Sequence, residues 1–253
     1  MAVAAIRAGG RTGDFLERIR NFSLIIVAFA LGIWAQAGGL VDDIIYYWPD
    51  IVYLTRQHIW LTLISGGLAI LVGVPLGALM SRPFMRKVAE SMMQVLNIGT
   101  TIPTLAVLAL SMSWLGIGTT PAIFGLWIVS LLPIVRNTYA GIAGVAPHLK
   151  EAAHGMGMSP LQILWRVELP NALYVIFAGI RTALAINIGT VPLAFLIGAG
   201  GLGELIFTGI DLADTGMMLS GAIPTALLAV VVDFILSVLT FLLVPKGVNP
   251  LRN

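Results

Sequence analysis

Cysteine is absent from the 253-residue chain, and charged residues make up only 10% of it. Without cysteine the chain has no disulfide, no cysteine-ligated zinc or iron–sulfur centre and no thiol catalysis. Soluble domains carry about 25% charged residues, so this chain has too few to cover a water-soluble body. The composition, 58% hydrophobic with a mean hydropathy of +0.96, instead indicates an integral membrane protein.

The motifs of common enzyme classes are also missing or out of context. No G-x-x-x-x-G-K-[ST] occurs, so the chain has no P-loop for ATP. Its three histidines are too scattered for a metal site or a hydrolase constellation. Gly198, Gly200 and Gly203 fit the dinucleotide pattern G-x-G-x-x-G, but they follow an apolar span rather than a strand. We therefore expect no catalytic residue, no metal and no cofactor bound by this chain.

Six apolar stretches approach or exceed the roughly 20 residues that cross a bilayer. They cover residues 22–38, 59–80, 89–115, 121–146, 171–197 and 217–244. The chain is thus predicted to be an all-α polytopic membrane protein, with a tail at 1–21, a transmembrane domain at 22–245 and a tail at 246–253. The first stretch is short and ends at Ala35-Gln36-Ala37, which is similar to a signal-peptidase site. Cleavage there would leave five spans; we favour retention and six.

Basic residues alternate with the spans and predict the orientation. They precede the first span, follow the second, and lie in the fourth loop and the C-terminal tail, while the opposite side carries only Arg56 and six acidic residues. The positive-inside rule therefore places both termini and the loop at 147–170 in the cytoplasm. Because the basic residues follow topology, the chain's net charge of +2 does not indicate a nucleic-acid partner.

The loop at 147–170 is too long for a simple connection and is predicted to have structure of its own. Its first half contains helix-forming residues that end at the glycines 155 and 157. Ser159 is a natural N-cap, Pro160 suits the first helical position, and Gln162 completes a capping box. A second short helix should run from there to about residue 168, where Pro170 is expected to end it. Two short helices joined at a glycine hinge predict a docking surface.

The loop resembles the signature of permease subunits in binding-protein-dependent ABC importers. The matching residues are Glu151, Ala152, Ala153, Gly157, Leu169 and Pro170, with Val167 where the family usually has isoleucine. In that family the loop is the coupling helix, which fits a groove on a separate ATPase subunit that uses ATP and Mg. The resemblance also implies a second permease subunit, identical or paralogous, and a periplasmic or lipid-anchored substrate-binding protein. It implies the bacterial cytoplasmic membrane as the location.

Further segments resemble the permeases of osmoprotectant importers, which carry glycine betaine, choline and related quaternary amines. These segments are residues 100–106, 116–122, 132–138, 179–183 and 197–203. The implied fold is the type I importer, methionine-permease-like transmembrane domain. Methionine-type permeases share the glycine-rich stretch, so an amino-acid importer remains an alternative. An ion-coupled secondary transporter or a membrane anchor are alternatives from other classes.

Two embedded charges and four aromatic residues are candidates for the interior of the membrane domain. Arg181 is about 16 Å from the end of its span, and Asp233 is about 18 Å from the same side, at 1.5 Å per residue. Their matching depth predicts an ion pair, for bracing or for substrate contact. Trp114, Trp127, Tyr139 and Phe195 are candidate path residues, because aromatic faces hold quaternary ammonium groups. Each also suits packing or the membrane boundary.

Overall fold

A computed structural model describes residues 38–248, and every regular element in that range is helical. The residues belong to two units, one ending at Trp48 and one starting at Pro49. The first unit contributes the short helix α1 (Leu40–Tyr46). The remaining helices are α2 (Trp48–Met80), α3 (Arg86–Gly99), α4 (Thr104–Leu115), α5 (Thr119–Ala143), α6 (Pro147–Gly155), α7 (Pro160–Ile163), α8 (Leu169–Thr190), α9 (Gly203–Asp211) and α10 (Thr215–Leu243).

Four helical segments within 38–248 are long and apolar enough to cross a membrane. They are α2, α5, the continuous segment Pro160–Ile197 that contains α7 and α8, and α10. The predicted span at 59–80 begins eleven residues earlier, because the polar residues of its first turns lower the hydropathy without ending the helix. The first predicted span, at 22–38, and its cleavage motif lie outside the described residues.

The predicted third span, at 89–115, is not one straight helix. Lys87–Gly99 and Thr104–Leu115 meet at an angle of 102°. The break falls at Pro103, which precedes α4 in extended geometry at φ −58° and ψ 134°. A proline disfavours helical geometry in the residue before it, so Ile102 cannot continue α3. The hydroxyls of Thr100 and Thr101 donate to the carbonyls of Asn97 and Ile98 at 2.7 Å, at the end of the first arm.

The centre of the domain is the packing of α5 against α8, and α2 contacts both helices. Buried aliphatic residues from these helices form one core cluster, including Ala69, Ile134, Ile142, Ala172, Ile176 and Ala183. Glycines allow the backbones to approach closely: a Cβ on Gly77 would lie 2.8 Å from the carbonyl oxygen of Val135, and one on Gly179 would lie 3.1 Å from that of Pro133. Close approach through small residues is the usual way in which membrane helices pack.

The prediction that Pro170 ends the second loop helix is wrong, because α7 continues into α8. In an α-helix the proline ring would clash with the carbonyl four residues earlier. Here Leu164–Glu168 form a π-helix, whose wider turn accommodates the ring, and the N–H of Leu169 bonds to the carbonyl of Leu164. The side chain of Asn171 donates to the carbonyl of Val167 at 2.7 Å. The second half of the loop and the following span are therefore parts of one helical segment, Pro160–Ile197.

Candidate functional site

The first half of the loop is α6 followed by a tight glycine turn. Pro147 begins the helix, and the N–H of Gly157 donates to the carbonyl of His154 at 2.9 Å after its end. Gly157 has φ +76°, which a side chain disfavours, so glycine is required for this turn. Glu151, Ala152 and Gly157 are exposed, whereas Ala153 is buried against the domain. The signature residues thus divide into an outward set and an inward anchor.

The second half of the loop contains the predicted capping box. The N–H of Ser159 donates to Gln162 Oε1 at 2.8 Å, and the N–H of Gln162 donates to Ser159 Oγ at 3.4 Å. This part of the prediction is confirmed. Leu169 and Pro170 follow the π-helix and are half-buried at the start of α8, so they do not lie on the outward surface.

Three exposed apolar side chains on this loop were missed by the sequence analysis. Met156, Leu161 and Trp165 are 69%, 64% and 65% exposed. Apolar side chains on the polar end of a membrane protein, beside the charged Glu151, form a surface suited to a protein partner. The four-residue spacing of Leu161 and Trp165 is the only signal in the sequence that could have indicated them.

A buried carboxylate at the base of the loop was also missed. Glu168 is only 6% exposed and forms an ion pair with Arg82, while Lys150 Nζ lies 3.7 Å from its other carboxylate oxygen. The sequence analysis counted the two cations only as markers of orientation. The sequence contains no signal that distinguishes Glu168 from the exposed Glu151 of the same loop, although a buried carboxylate needs a counter-ion.

The structure brings together the two embedded charges that were matched by depth. Arg181 Nη2 lies 2.8 and 2.9 Å from the two carboxylate oxygens of Asp233, and its Nε lies 3.0 Å from Oδ1. The contact joins α8 to α10. The side chains remain 32% and 48% exposed, so the pair lies at the edge of the described chain rather than inside it. Its functional role stays a prediction.

A cleft of about 680 Å³ lies between α3, α4, α5 and α8. Its walls are mostly aliphatic, with polar groups from Thr100, Thr104, Arg136, Asn137 and Thr182. A second depression, of about 440 Å³, contains the Arg181–Asp233 pair. Thr182 and Ile186 line both, so the cleft and the depression are neighbours along α8.

The four candidate path aromatics do not come together. Trp114 is 82% exposed at the end of α4, and Tyr139 packs against a core cluster around Met80. The ring centroid of Trp127 lies 5.6 Å from that of Phe124. Phe195 stacks on Phe207 with 6.2 Å between the ring centroids. No two of the four are in ring contact, and none lines the cleft in the described part of the chain. Their assignment to the path stays a prediction that this geometry does not support.

A buried amide links the three central spans. Asn187 Nδ2 of α8 donates to Ser65 Oγ of α2 at 2.9 Å and to Ser130 Oγ of α5 at 2.6 Å. Each hydroxyl in turn donates to a carbonyl of its own helix. Side-chain hydrogen bonds of this kind hold membrane helices in register where apolar contacts alone do not.

The comparisons with known proteins agree on one class. The family model described as "Binding-protein-dependent transport system inner membrane component" matches residues 73–246. The "Osmoprotectant import permease protein OsmY" of Salmonella typhimurium is 50% identical over 223 residues, which cover 88% of this chain and 93% of that protein. The "Choline transport system permease protein OpuBB" of Bacillus subtilis is 44% identical over 204 residues, covering 81% and 93%. An inward-facing structure of the MetNI methionine ABC transporter matches with a TM-score of 0.70 at 23% identity, covering 77% of this chain and 96% of that one, and shows the shared fold.

Proposed function

This chain belongs to the family of binding-protein-dependent transport system inner membrane components, and from that premise we propose that it is the permease subunit of an ATP-driven importer for a quaternary-amine osmoprotectant such as glycine betaine or choline. The observation that carries the proposal is the 50% identity to a permease named for osmoprotectant import, over nearly the whole of both chains. The chain contributes a membrane path and is not itself an enzyme.

The loop between α5 and α8 is the proposed docking site for a separate ATPase subunit, in which ATP and Mg are used. Its exposed face combines Glu151 and Gly157 with the apolar Met156, Leu161 and Trp165. Exposure of such an apolar face to water is unfavourable, and burial of the face in an apolar groove is favourable. The basic residues that surround the loop in sequence support a cytoplasmic position for it.

The cleft and the depression along α8 are the proposed wall of the translocation path, which a second permease subunit completes. An ion pair that is one third to one half exposed is costly against lipid, so Arg181 and Asp233 should face water or protein. The cleft beside them offers hydroxyl groups and one cation, Arg136, but no aromatic cage. Weak contacts of this kind suit a path, while an external binding protein supplies the tight recognition of substrate.

Reconstitution tests the proposal. The permease is placed in proteoliposomes with a partner ATPase and a substrate-binding protein, and uptake of radiolabelled glycine betaine, choline and methionine is measured. We expect uptake of a quaternary amine that requires all three components and ATP on the ATPase side. Methionine uptake without quaternary-amine uptake would favour the amino-acid alternative. Gradient-driven uptake by the permease alone would identify a secondary transporter and contradict the proposal.

A further inference from the structure

We propose that Glu168, held by Arg82 and Lys150, is the positioning residue through which movement of α6, the first half of the docking loop, reaches the membrane spans. The inference rests on the proposed function and adds a residue that the family signature of the loop does not contain. Glu168 is the last residue of the π-helix, at the root of α8, and its side chain is 8% exposed.

The three side chains connect the ends of three different spans to the loop. Arg82 follows α2, where its guanidinium also donates to Ser81 Oγ at 2.9 Å and so is fixed in place. Lys150 lies on α6, and its Nζ donates to the carbonyl of Ile142 near the end of α5 at 3.3 Å. Glu168 accepts from the first and lies 3.7 Å from the second. One carboxylate therefore links α2, α6 and α8, and through Lys150 it links α5.

The glycine turn between α6 and α7 is poorly suited to carry the same force. Residues 155–157 and 159 are exposed, and an added Cβ at Gly155 or Gly157 would contact nothing within 4 Å. This turn can therefore flex when α6 is displaced. By contrast, moving Lys150 away would leave the buried carboxylate of Glu168 with only one of its two cations, which is unfavourable. Displacement of α6 must then move the ends of α2 and α8 with it.

The experiment measures the number of ATP molecules hydrolysed per solute imported by the complete reconstituted complex. In Glu168→Gln the shape is kept and the charge is removed, so α6 can move without the spans. We expect this ratio to rise by about 10-fold, in the range of typical coupling effects between sites. Arg82→Lys should remain within about twofold of wild type, because the contact uses one nitrogen rather than a bidentate pair.

The matched control is Lys87→Gln, which removes an exposed cation five residues from Arg82 and should leave the ratio unchanged. A merely structural role for Glu168 would lower uptake and ATP hydrolysis together, with a constant ratio, and that result would overturn the inference. If Glu168→Gln does not assemble, Lys150→Gln replaces it, since that variant keeps the contact between Glu168 and Arg82. An unchanged ratio of ATP hydrolysed to solute imported in Lys150→Gln would also overturn the inference. Absence of quaternary-amine uptake by the wild-type complex would instead contradict the proposed function.

Discussion

Removing either charge of the Arg181–Asp233 pair should destabilise the membrane domain more than removing both. Arg181→Met or Asp233→Leu leaves one ion unpaired near the middle of a span, where the cost is about 2.5–3.5 kcal/mol. The side chains are 32% and 48% exposed, so we discount this to about 1–2 kcal/mol for each single variant. The double variant leaves no charge, and an apolar pair of similar size should cost close to nothing. The expected coupling energy is therefore about 2 kcal/mol or more in magnitude.

The assay is a double-mutant cycle on the purified protein, with unfolding by a denaturing detergent in mixed micelles followed by circular dichroism. A coupling energy within about 0.5 kcal/mol of zero, as for independent sites, would refute the reasoning. Uptake then separates two roles. A stable double variant that still transports has lost only a brace, whereas one that is stable but inactive has lost a contact in the path. The exchange variant, Arg181→Asp with Asp233→Arg, should recover uptake that each single variant lacks.

Three further predictions concern the loop and the buried amide. Gly157→Asp should abolish uptake and ATPase co-purification but keep the domain folded, because the local strain at φ +76° lowers the stability by only about 1–2 kcal/mol. Normal uptake would count against docking there. Ser159→Ala should weaken ATPase binding in a titration by removing a cap worth about 1 kcal/mol, and unchanged affinity would exclude that role. Asn187→Leu loses two interhelical hydrogen bonds of about 0.6 kcal/mol each and should lower the melting temperature of the protein. The hydroxyls of Ser65 and Ser130 still donate to carbonyls of their own helices in this variant. An unchanged melting temperature would show that the bonds of Asn187 contribute nothing.

Features set by neighbouring residues could be predicted from the sequence. The capping box depends on Ser159 and Gln162, three positions apart, and its hydrogen bonds are present. The membrane helices α5 and α10 begin and end within three residues of the apolar stretches that predicted them. The contact between Arg181 and Asp233 was also accessible, because depth in the membrane can be counted along each helix from its end.

Features that depend on backbone geometry or on distant residues could not be predicted from the sequence. Hydropathy is the same for a straight span and for two arms at 102°, so the break at Pro103 was not resolved. Pro170 was expected to end a helix because a proline disfavours helical geometry before it, and the π-turn that accommodates its ring has no clear sequence signal. The Glu168 cluster needs residues 82, 150 and 168 to meet, and no local pattern indicates that meeting. Exposed loop side chains such as Trp165 depend on the same unpredicted continuity.

The continuous helical segment from Pro160 to Ile197, which includes the π-helix and ends in a 3₁₀-helix at Val191–Ile197, has a mechanical consequence. Its 38 residues make a lever about 57 Å long at 1.5 Å per residue. Pivoting such a lever by roughly 5° at the end beside the docking loop swings the opposite end through about 5 Å, close to one helical pitch. That opposite end passes into the glycine turn, where Gly201 donates its N–H to Gln57 at 3.0 Å. A tilt of a few degrees at the loop end is therefore large enough to move this turn, with its bond to Gln57, by about one helical pitch.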